Sequence, residues 1–500
     1  MIEALFEGLL LVLQWKAFAF MLLGVVLGFW VGLLPGLGGV TTLALMLPFI
    51  YAMTPIEGFA FLLGMHSVVA TTGDITSVLF GIPGEGTTAA TILDGHSMAK
   101  KGEAGRALGA ALASSLVGAL VGAIALAVAI PVVRPLVLSF GSPELFMVAI
   151  VGIAFIASLS AQGGRGMLRG FLAGGLGLMV ATVGQDPQAG IARYTFDSLY
   201  LWSGLDLVPI LIGIFAIPEV IDLVLRGTSI AGDVPKGRLN QGALEGVRDT
   251  FRHFGLTLRC SLIGTFIGIM PGLGGAVAQW LAYGHAAQSA RTAEERAGFG
   301  KGDVRGVLGP GAANNSKEGG ALIPTVAFGV PGSSSMAILL GGFFLLGLVP
   351  GPDMLTTHLT VTFSMVWTIV LANIITVVAC FLFLNHLARL TVVRGALLIP
   401  VILVLVFVGS YTANNNYGDL LLMLFFGAVG YLMVAGGWPR APFVLGLVLG
   451  KIVENNLYIS VARYEAEWLT RPIVLVLAAL AVAVMFYPLL QARRSAARGG

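Results

Sequence analysis

Twice in this chain an apolar run ends in the same five residues, Pro-Gly-Leu-Gly-Gly: GFWVGLLPGLGG over 28–39 and GTFIGIMPGLGG over 264–275. The copies lie 236 residues apart (271 − 35), and Gly28/Gly264, Gly32/Gly268, Pro35/Pro271, Gly36/Gly272, Gly38/Gly274 and Gly39/Gly275 all keep that spacing. A second pair follows at 248 residues (331 − 83): FGIPGEGT from Phe80 and FGVPGSSS from Phe328. The proline removes a backbone donor and the glycines favour non-helical torsions, so a helix running to Leu34 is predicted to break there. The chain therefore reads as two related halves, each with one broken helix and one proline-glycine tip.

Where those breaks sit follows from composition. With 57% hydrophobic and 11% charged residues the chain has too little polar surface for a water-soluble globule. Apolar runs occupy 18–34, 107–133, 145–159, 167–183, 205–225, 256–270, 359–384, 396–408, 420–435 and 473–490. Many approach the roughly 20 residues that a 30 Å hydrocarbon layer requires, which predicts about ten to fourteen helical segments. Long unbroken runs are not the ten-residue alternating strands of a barrel. The expected fold is an all-α polytopic membrane protein with broken helices and re-entrant hairpin tips. It divides into a first membrane repeat at 1–225, a polar linker at 226–252 and a second repeat at 253–500. Inverted repeats are the commoner transporter arrangement, and that is the orientation expected here.

Arg226, Lys236, Arg238, Arg248 and Arg252 in the linker, with Arg493, Arg494 and Arg498 at the tail, place linker and C-terminus in the cytoplasm by the positive-inside rule. The stretch 291–317, with Arg291, Arg296, Lys301, Arg305 and Lys317, reads as a second cytoplasmic candidate. Loops without Lys or Arg, at 351–358 and 411–419, belong outside. No basic leader or small-residue cleavage site follows Met1, so the first span is expected to stay uncleaved. A net charge of +3, scattered along the chain, gives no sign of a nucleic-acid partner. Cys260 and Cys380 lie within apolar runs as small hydrophobes, without a metal-ligand set.

A helix opened inside a bilayer exposes N–H and C=O groups that need a protein or water-lined cavity, and that supply partial charge for anions and cations. Pro35, Gly36, Gly38, Gly39, Pro271, Gly272, Gly274 and Gly275 are thus expected to build one shared substrate site. The alternative is a kinked helix pair packed through Gly24, Gly28 and Gly32. In the tips, freed amides beside Gly84 and Gly332 and the hydroxyls of Thr87, Thr88, Ser333, Ser334 and Ser335 suit carboxylate oxygens; the alternative is a surface loop. Asn314, Asn315 and Ser316 form the densest neutral polar cluster, able to hold a cation or a carboxylate without the roughly 2.5 to 3.5 kcal/mol penalty of a buried ionised residue. A solvated loop cap is the other reading of that cluster. Asp74, with Asn314 and Asn315, is the candidate for a coupling cation, sodium or proton. Glu85, Asp94, Asp206, Glu219 and Asp419 also lie near apolar sequence, and His66 reads as a packed histidine.

Gly84-x-Gly86-x-x-Ala89 lacks the βαβ context of a dinucleotide site, and no GxxxxGK[ST] loop for ATP occurs. No hydrolase triad or HExxH helix is recognisable, so the chain is not expected to be an enzyme, and no cofactor beyond a coupling ion is expected.

At these motifs the chain resembles the TctA family, the large permease subunit of the tripartite tricarboxylate transporters. The resemblance spans nearly the whole chain and rests on both PGLGG motifs, IPGEGTTAATILDGHSMAKKGEAGRALG from Ile82 and FGKGDVRGVLGPGAANNSKEGGALIPTVAFGVPGSSSMAILLGG from Phe299. GLVPGP from Gly347 and VLGLVLGKIVENNL from Val444 add to it. It implies a multi-pass protein of the bacterial inner membrane, working with a small four-helix membrane subunit and a periplasmic solute-binding protein. It also implies ion-gradient-driven import of a tricarboxylate or related organic carboxylate, and a distant kinship with elevator carriers. The chain departs from the family pattern at HSVVATTGD, 66–74, and at Gly311, three residues before the paired asparagines, which leaves solute and ion open. A passive channel or a membrane assembly scaffold is the rival class.

Overall fold

The computed structural model describes residues 1–33, 38–159, 164–186, 188–226, 242–271, 274–390 and 398–498. Pro35, Gly36 and Gly272, and most of the polar linker, lie outside the described residues. The first half supplies α1 (Trp15–Leu33), α2 (Gly39–Met46), α3 (Pro55–Phe80), α4 (Ile92–Lys100), α5 (Ala104–Leu138), α6 (Ser142–Leu159), α7 (Gly164–Ala181) and α8 (Leu207–Arg226). The second supplies α9 (Phe254–Ile269), α10 (Gly274–Gln288), α11 (Arg305–Phe328), α12 (Ser334–Leu345), α13 (Leu359–Leu390), α14 (Leu398–Asn414), α15 (Tyr417–Ala435), α16 (Arg440–Tyr464) and α17 (Pro472–Arg498). Among the described residues the strands are one two-residue pair, Gly184–Gln185 with Ala192–Arg193. The protein is an all-α polytopic membrane protein. Among the described residues six helices, α1, α5, α8, α13, α15 and α16, are long and apolar enough to cross a bilayer by themselves.

Two helices that the apolar runs did not reveal form the centre. In α3 every residue from Gly58 to Leu79 is buried, and in α11 every residue from Gly306 to Ala327. Because protein surrounds them on all sides, they carry polar residues that a lipid-facing helix cannot. The end of the expected cytoplasmic stretch 291–317 lies inside this core. Only its first part is loop and short helix; Arg305 to Lys317 is the first half of α11. Asn314, Asn315 and Ser316 sit inside that helix, so the reading of a solvated loop cap falls.

Local chemistry explains the ends of these helices. Thr54 and Glu57 make a capping box ahead of Pro55, the first residue of α3. Gly81 and Gly329 end α3 and α11 in the left-handed region, each at φ 68, where a β-carbon would be strained.

Alongside α3, α1 packs in parallel through Gly24, Gly28 and Gly32, whose missing side chains let its backbone meet the Phe61, Met65 and Val69 carbonyls. In the second half, α9 lies along α11 through Gly264 and Gly268, against the Ala313 and Lys317 carbonyls. The small-residue ridge offered as an alternative thus exists, and the helix also breaks at its end. Past the break the chain turns back instead of continuing. Gly39 is beside His66 and Ile50 is beside Gly58, while Gly275 is beside Lys317 and Gly309 is beside Ala282. α1 and α2 therefore run antiparallel, as do α9 and α10.

The halves interlock. α5 packs along α11 and α13 along α3; α8 packs on α14 and α15, and α16 on α6 and α7. α3 and α11 run antiparallel, with His66 against Glu318 and, further along α3, Asp74 beside Asn314. Arg106 binds Asp249 at 2.7 Å, and Lys101 reaches the Lys301 carbonyl. These contacts gather the linker helix Ala243–Arg252, the start of α5 and the loop before α11 at one end of the bundle. In that loop Arg305 donates to Glu295 at 2.9 Å and holds its carboxyl below the ordinary range.

Candidate functional site

Both tips re-enter the bundle. Beyond Gly81 the chain descends until Gly84 lies against Gly73 of α3 and the Gly32 carbonyl of α1, about 12 Å back along α3 at 1.5 Å per residue. Beyond Gly329, Gly332 lies against Ala321 of α11 and the Gly268 carbonyl of α9. Gly84 and Gly332 sit at equivalent positions, and each is the point where only a glycine fits between two backbones.

At the level where the first tip arrives, buried ionisable groups from both halves meet. His66 Nε2 lies 3.1 Å from Glu318 Oε2, and Lys317 Nζ is paired with the other oxygen of Glu318. The Lys317 stem fills the space over Gly275, at the start of α10, where an added β-carbon would also come 2.6 Å from Thr87 Cγ2. On the other side, a β-carbon on Gly39 would lie 2.9 Å from His66 Nδ1 and 3.3 Å from Glu85 Oε1. Thus the N-termini of α2 and α10, tip residues Glu85 and Thr87, and the three ionisable groups of α3 and α11 surround one point. A helix N-terminus attracts anions through its free N–H groups, and at α2 the protein's own Glu85 carboxylate stands there.

The expected site residues divide by what their polar atoms do. Gly38 is the N-cap of α2, and Gly39, Gly274 and Gly275 open the two helices after the breaks; Pro271 is the last residue described before the second break. Thr87 is half-buried and bonded weakly, at 3.3 Å, to Glu85 Oε2. Thr88 was expected to offer its hydroxyl to a ligand; instead it is buried, donates to the Glu85 carbonyl at 2.9 Å and accepts from Ser77 at 2.8 Å. Ser333 caps α12 by accepting from the Met336 amide, and Ser334 and Ser335 form the first turn of that helix. Ser316 donates to the Ala313 carbonyl at 3.3 Å. Asn315 donates to Thr71 at 2.6 Å and Asn373 at 2.7 Å. Asn314 is fully buried and faces Asp74, with Thr91 beside the same carboxylate.

Four other acids have structural work. Asp94 accepts from the Gly302 and Asp303 amides at 2.7 and 2.9 Å and from Tyr283 at 3.0 Å, tying α4 to the start of α11. Asp419 holds Tyr200 at 2.6 Å, Asp206 caps the Val208 amide at 2.8 Å, and Glu219 pairs with Arg440 at 3.5 Å. A cavity of about 410 Å³ opens beside Asp206, Asn414 and Asp419, next to the end of α12 and remote from the ionisable cluster.

Sequence reasoning missed Lys317 as a central residue. Its signal was present: AANNSKEGG sets a Lys-Glu pair directly after the asparagines, but the surrounding charges made the stretch read as a loop.

The chain is 31% identical to an uncharacterized 52.8 kDa protein in the TAR-I ttuC' 3' region of Agrobacterium vitis, over 94% of this chain and 93% of that protein. It is 29% identical to an uncharacterized protein in the TAR-II ttuC' 3' region of the same organism, over 46% of this chain and 96% of that one. No solved structure matches. The model of the tripartite tricarboxylate transporter TctA family matches residues 18–445, nearly the whole chain, and the protein therefore belongs to that family, the large membrane subunit of these transporters.

Proposed function

We propose that this subunit is the permease of an ion-gradient-driven, binding-protein-dependent importer of a tricarboxylate or related small organic carboxylate. The observation that carries the reading is the convergence of two helix N-termini, Lys317 and a re-entrant tip on one buried point. Amide dipoles and an ammonium group suit a carboxylate in low dielectric. Lys317 is already matched by Glu318, and Glu85 stands at the α2 N-terminus. An entering carboxylate therefore takes the place of Glu85, and tip 1 moves with it.

The halves are read as inverted repeats. α3 and α11 are equivalent in sequence order and run antiparallel, so an axis across the bundle relates them. The tips then face opposite sides, as alternating access requires. Lys100, Lys101, Arg106, Arg252, Lys301 and Arg305 collect at one end, which by the positive-inside rule is cytoplasmic, in a bacterial inner membrane. A small four-helix subunit and a periplasmic binding protein complete the system.

The test is uptake of labelled di- and tricarboxylates into proteoliposomes holding this chain, the small subunit and the binding protein, with sodium and proton gradients imposed separately. Accumulation above the external concentration is expected. Equilibration without accumulation would make the chain a channel, and chemical conversion without uptake would make it an enzyme.

A further inference from the structure

Gln279 of α10 is 1% exposed, and neither of its amide atoms, Oε1 nor Nε2, has a hydrogen bond. Its place on the helix fixes where it points. Residues four apart share a helix face, so Gly275, Gln279 and Tyr283 form one row. At Gly275 an added β-carbon would meet the Lys317 stem and come 2.6 Å from Thr87 Cγ2. At the other end of the row Tyr283 donates to Asp94 of α4 at 3.0 Å. The row therefore faces the returning arm of tip 1 between Thr87 and Asp94, and the short helix Gly86–Thr88 of that arm packs on α10. Long side chains on a helix lean back over the preceding turn. Gln279 thus reaches toward Gly275, where the Lys317 stem and Thr87 lie, at the edge of the buried point on which the two helix N-termini converge.

Packing does not ask for an amide at this position. At the 236-residue spacing the first half has Leu43 there (279 − 236), fully buried in the main apolar cluster. Buried polar atoms are almost always satisfied, and one left unpaired costs about 1–3 kcal/mol. A buried amide without a protein partner, where its counterpart is leucine, marks a position that serves a ligand.

We infer that Gln279 is a specificity-determining residue of the solute site and selects carboxylates that carry a hydroxyl group. The inference rests on the carboxylate reading above and narrows it. A carboxylate only accepts, so by itself it satisfies Nε2 and leaves Oε1 bare. A hydroxyl on a neighbouring carbon donates to Oε1 while the carboxylate accepts from Nε2, and both amide atoms are then paired. An ammonium in place of the hydroxyl could also donate to Oε1, but it would bring a second cation beside Lys317. Gln279 comes from the second half and Thr87 from the first, so the hydroxyl is read where tip 1 meets α10.

The experiment titrates the melting temperature of the full chain, purified in detergent, with two sets of solutes. Malate, succinate and aspartate share one diacid frame and differ in bearing a hydroxyl, a hydrogen or an ammonium; citrate and tricarballylate share one triacid frame, with and without the hydroxyl. In at least one set the hydroxylated member is expected to stabilise the wild type at a half-saturating concentration roughly tenfold below its counterparts, the worth of one buried hydrogen bond. Gln279→Leu, which installs the residue of the first half, and Gln279→Met, which keeps the length, are expected to melt no lower than the wild type without solute. Both are expected to lose the preference through weaker binding of the hydroxylated member. A wild type without that preference, or variants that keep it, overturns the assignment. A lower solute-free melting temperature in both variants makes the amide structural and overturns it as well. Uptake of the same solutes is measured in proteoliposomes with the small subunit and the binding protein. Carboxylate uptake with the preference unaltered in the variants removes Gln279 and leaves the transporter. Neither stabilisation nor uptake with any carboxylate removes the transporter reading, and the role of Gln279 with it.

Discussion

Gly84→Ala tests whether tip 1 must be seated for the protein to work. A β-carbon at Gly84 would lie 2.5 Å from the Gly32 carbonyl oxygen, 2.6 Å from Gly73 Cα and 2.7 Å from Thr76 Oγ1. Ordinary contact begins near 3.4 Å, so the tip must retreat by about 0.9 Å (3.4 − 2.5). Two of the three atoms are backbone in packed helices and cannot rotate aside. Overpacking of this kind costs about 1–3 kcal/mol. At 1.4 kcal/mol per tenfold, the seated population falls about 5- to 150-fold relative to displaced forms. Gly86, two residues on, has nothing within 4 Å of an added β-carbon, and Gly86→Ala is the matched control. Initial rates of carboxylate uptake in proteoliposomes are the assay, with the melting temperature recorded alongside. Gly84→Ala should reduce uptake at least fivefold while Gly86→Ala transports as the wild type does. Wild-type uptake by Gly84→Ala, or equal damage from both, would refute the seating of the tip as a working contact.

Asp94→Ala strands the Gly302 and Asp303 amides and the Tyr283 hydroxyl, all part-buried, so each costs at most the about 1–3 kcal/mol of a fully buried donor left unpaired. The melting temperature should fall further than for Asp94→Asn, which keeps an acceptor; equal effects would show that the ties are not what matters. Glu318→Ala leaves Lys317 as an uncompensated buried charge, a loss of about 3–5 kcal/mol. The double replacement of Lys317 and Glu318 by Met should recover part of that loss in the same melt, and a double variant less stable than Glu318→Ala alone would contradict the pairing.

Much of this architecture is legible in the one-dimensional chain. Local chemistry identifies the breaks, because proline and glycine oppose a helix wherever they occur, and the recurrence of PGLGG and the PG tips reveals the duplication. Composition assigns the solvent, and the long apolar runs locate the helices that face lipid. The same logic hides α3 and α11. A helix enclosed by protein has no lipid-facing stripe, so Asn314, Lys317 and Glu318 cannot be assigned to a membrane-embedded helix until the neighbours that bury them are known.

Tertiary structure alone decides the rest. That each break reverses into a hairpin depends on where the glycine ridges of α1 and α9 dock. That the Thr88 hydroxyl serves its own tip depends on Ser77 of α3, which donates to it at 2.8 Å. Asp74 and Asn314 are 240 residues apart (314 − 74), and nothing local to either predicts that they face each other. Repetition in the sequence marks out two similar arms, whereas their antiparallel docking brings side chains from both, such as His66 and Glu318, together.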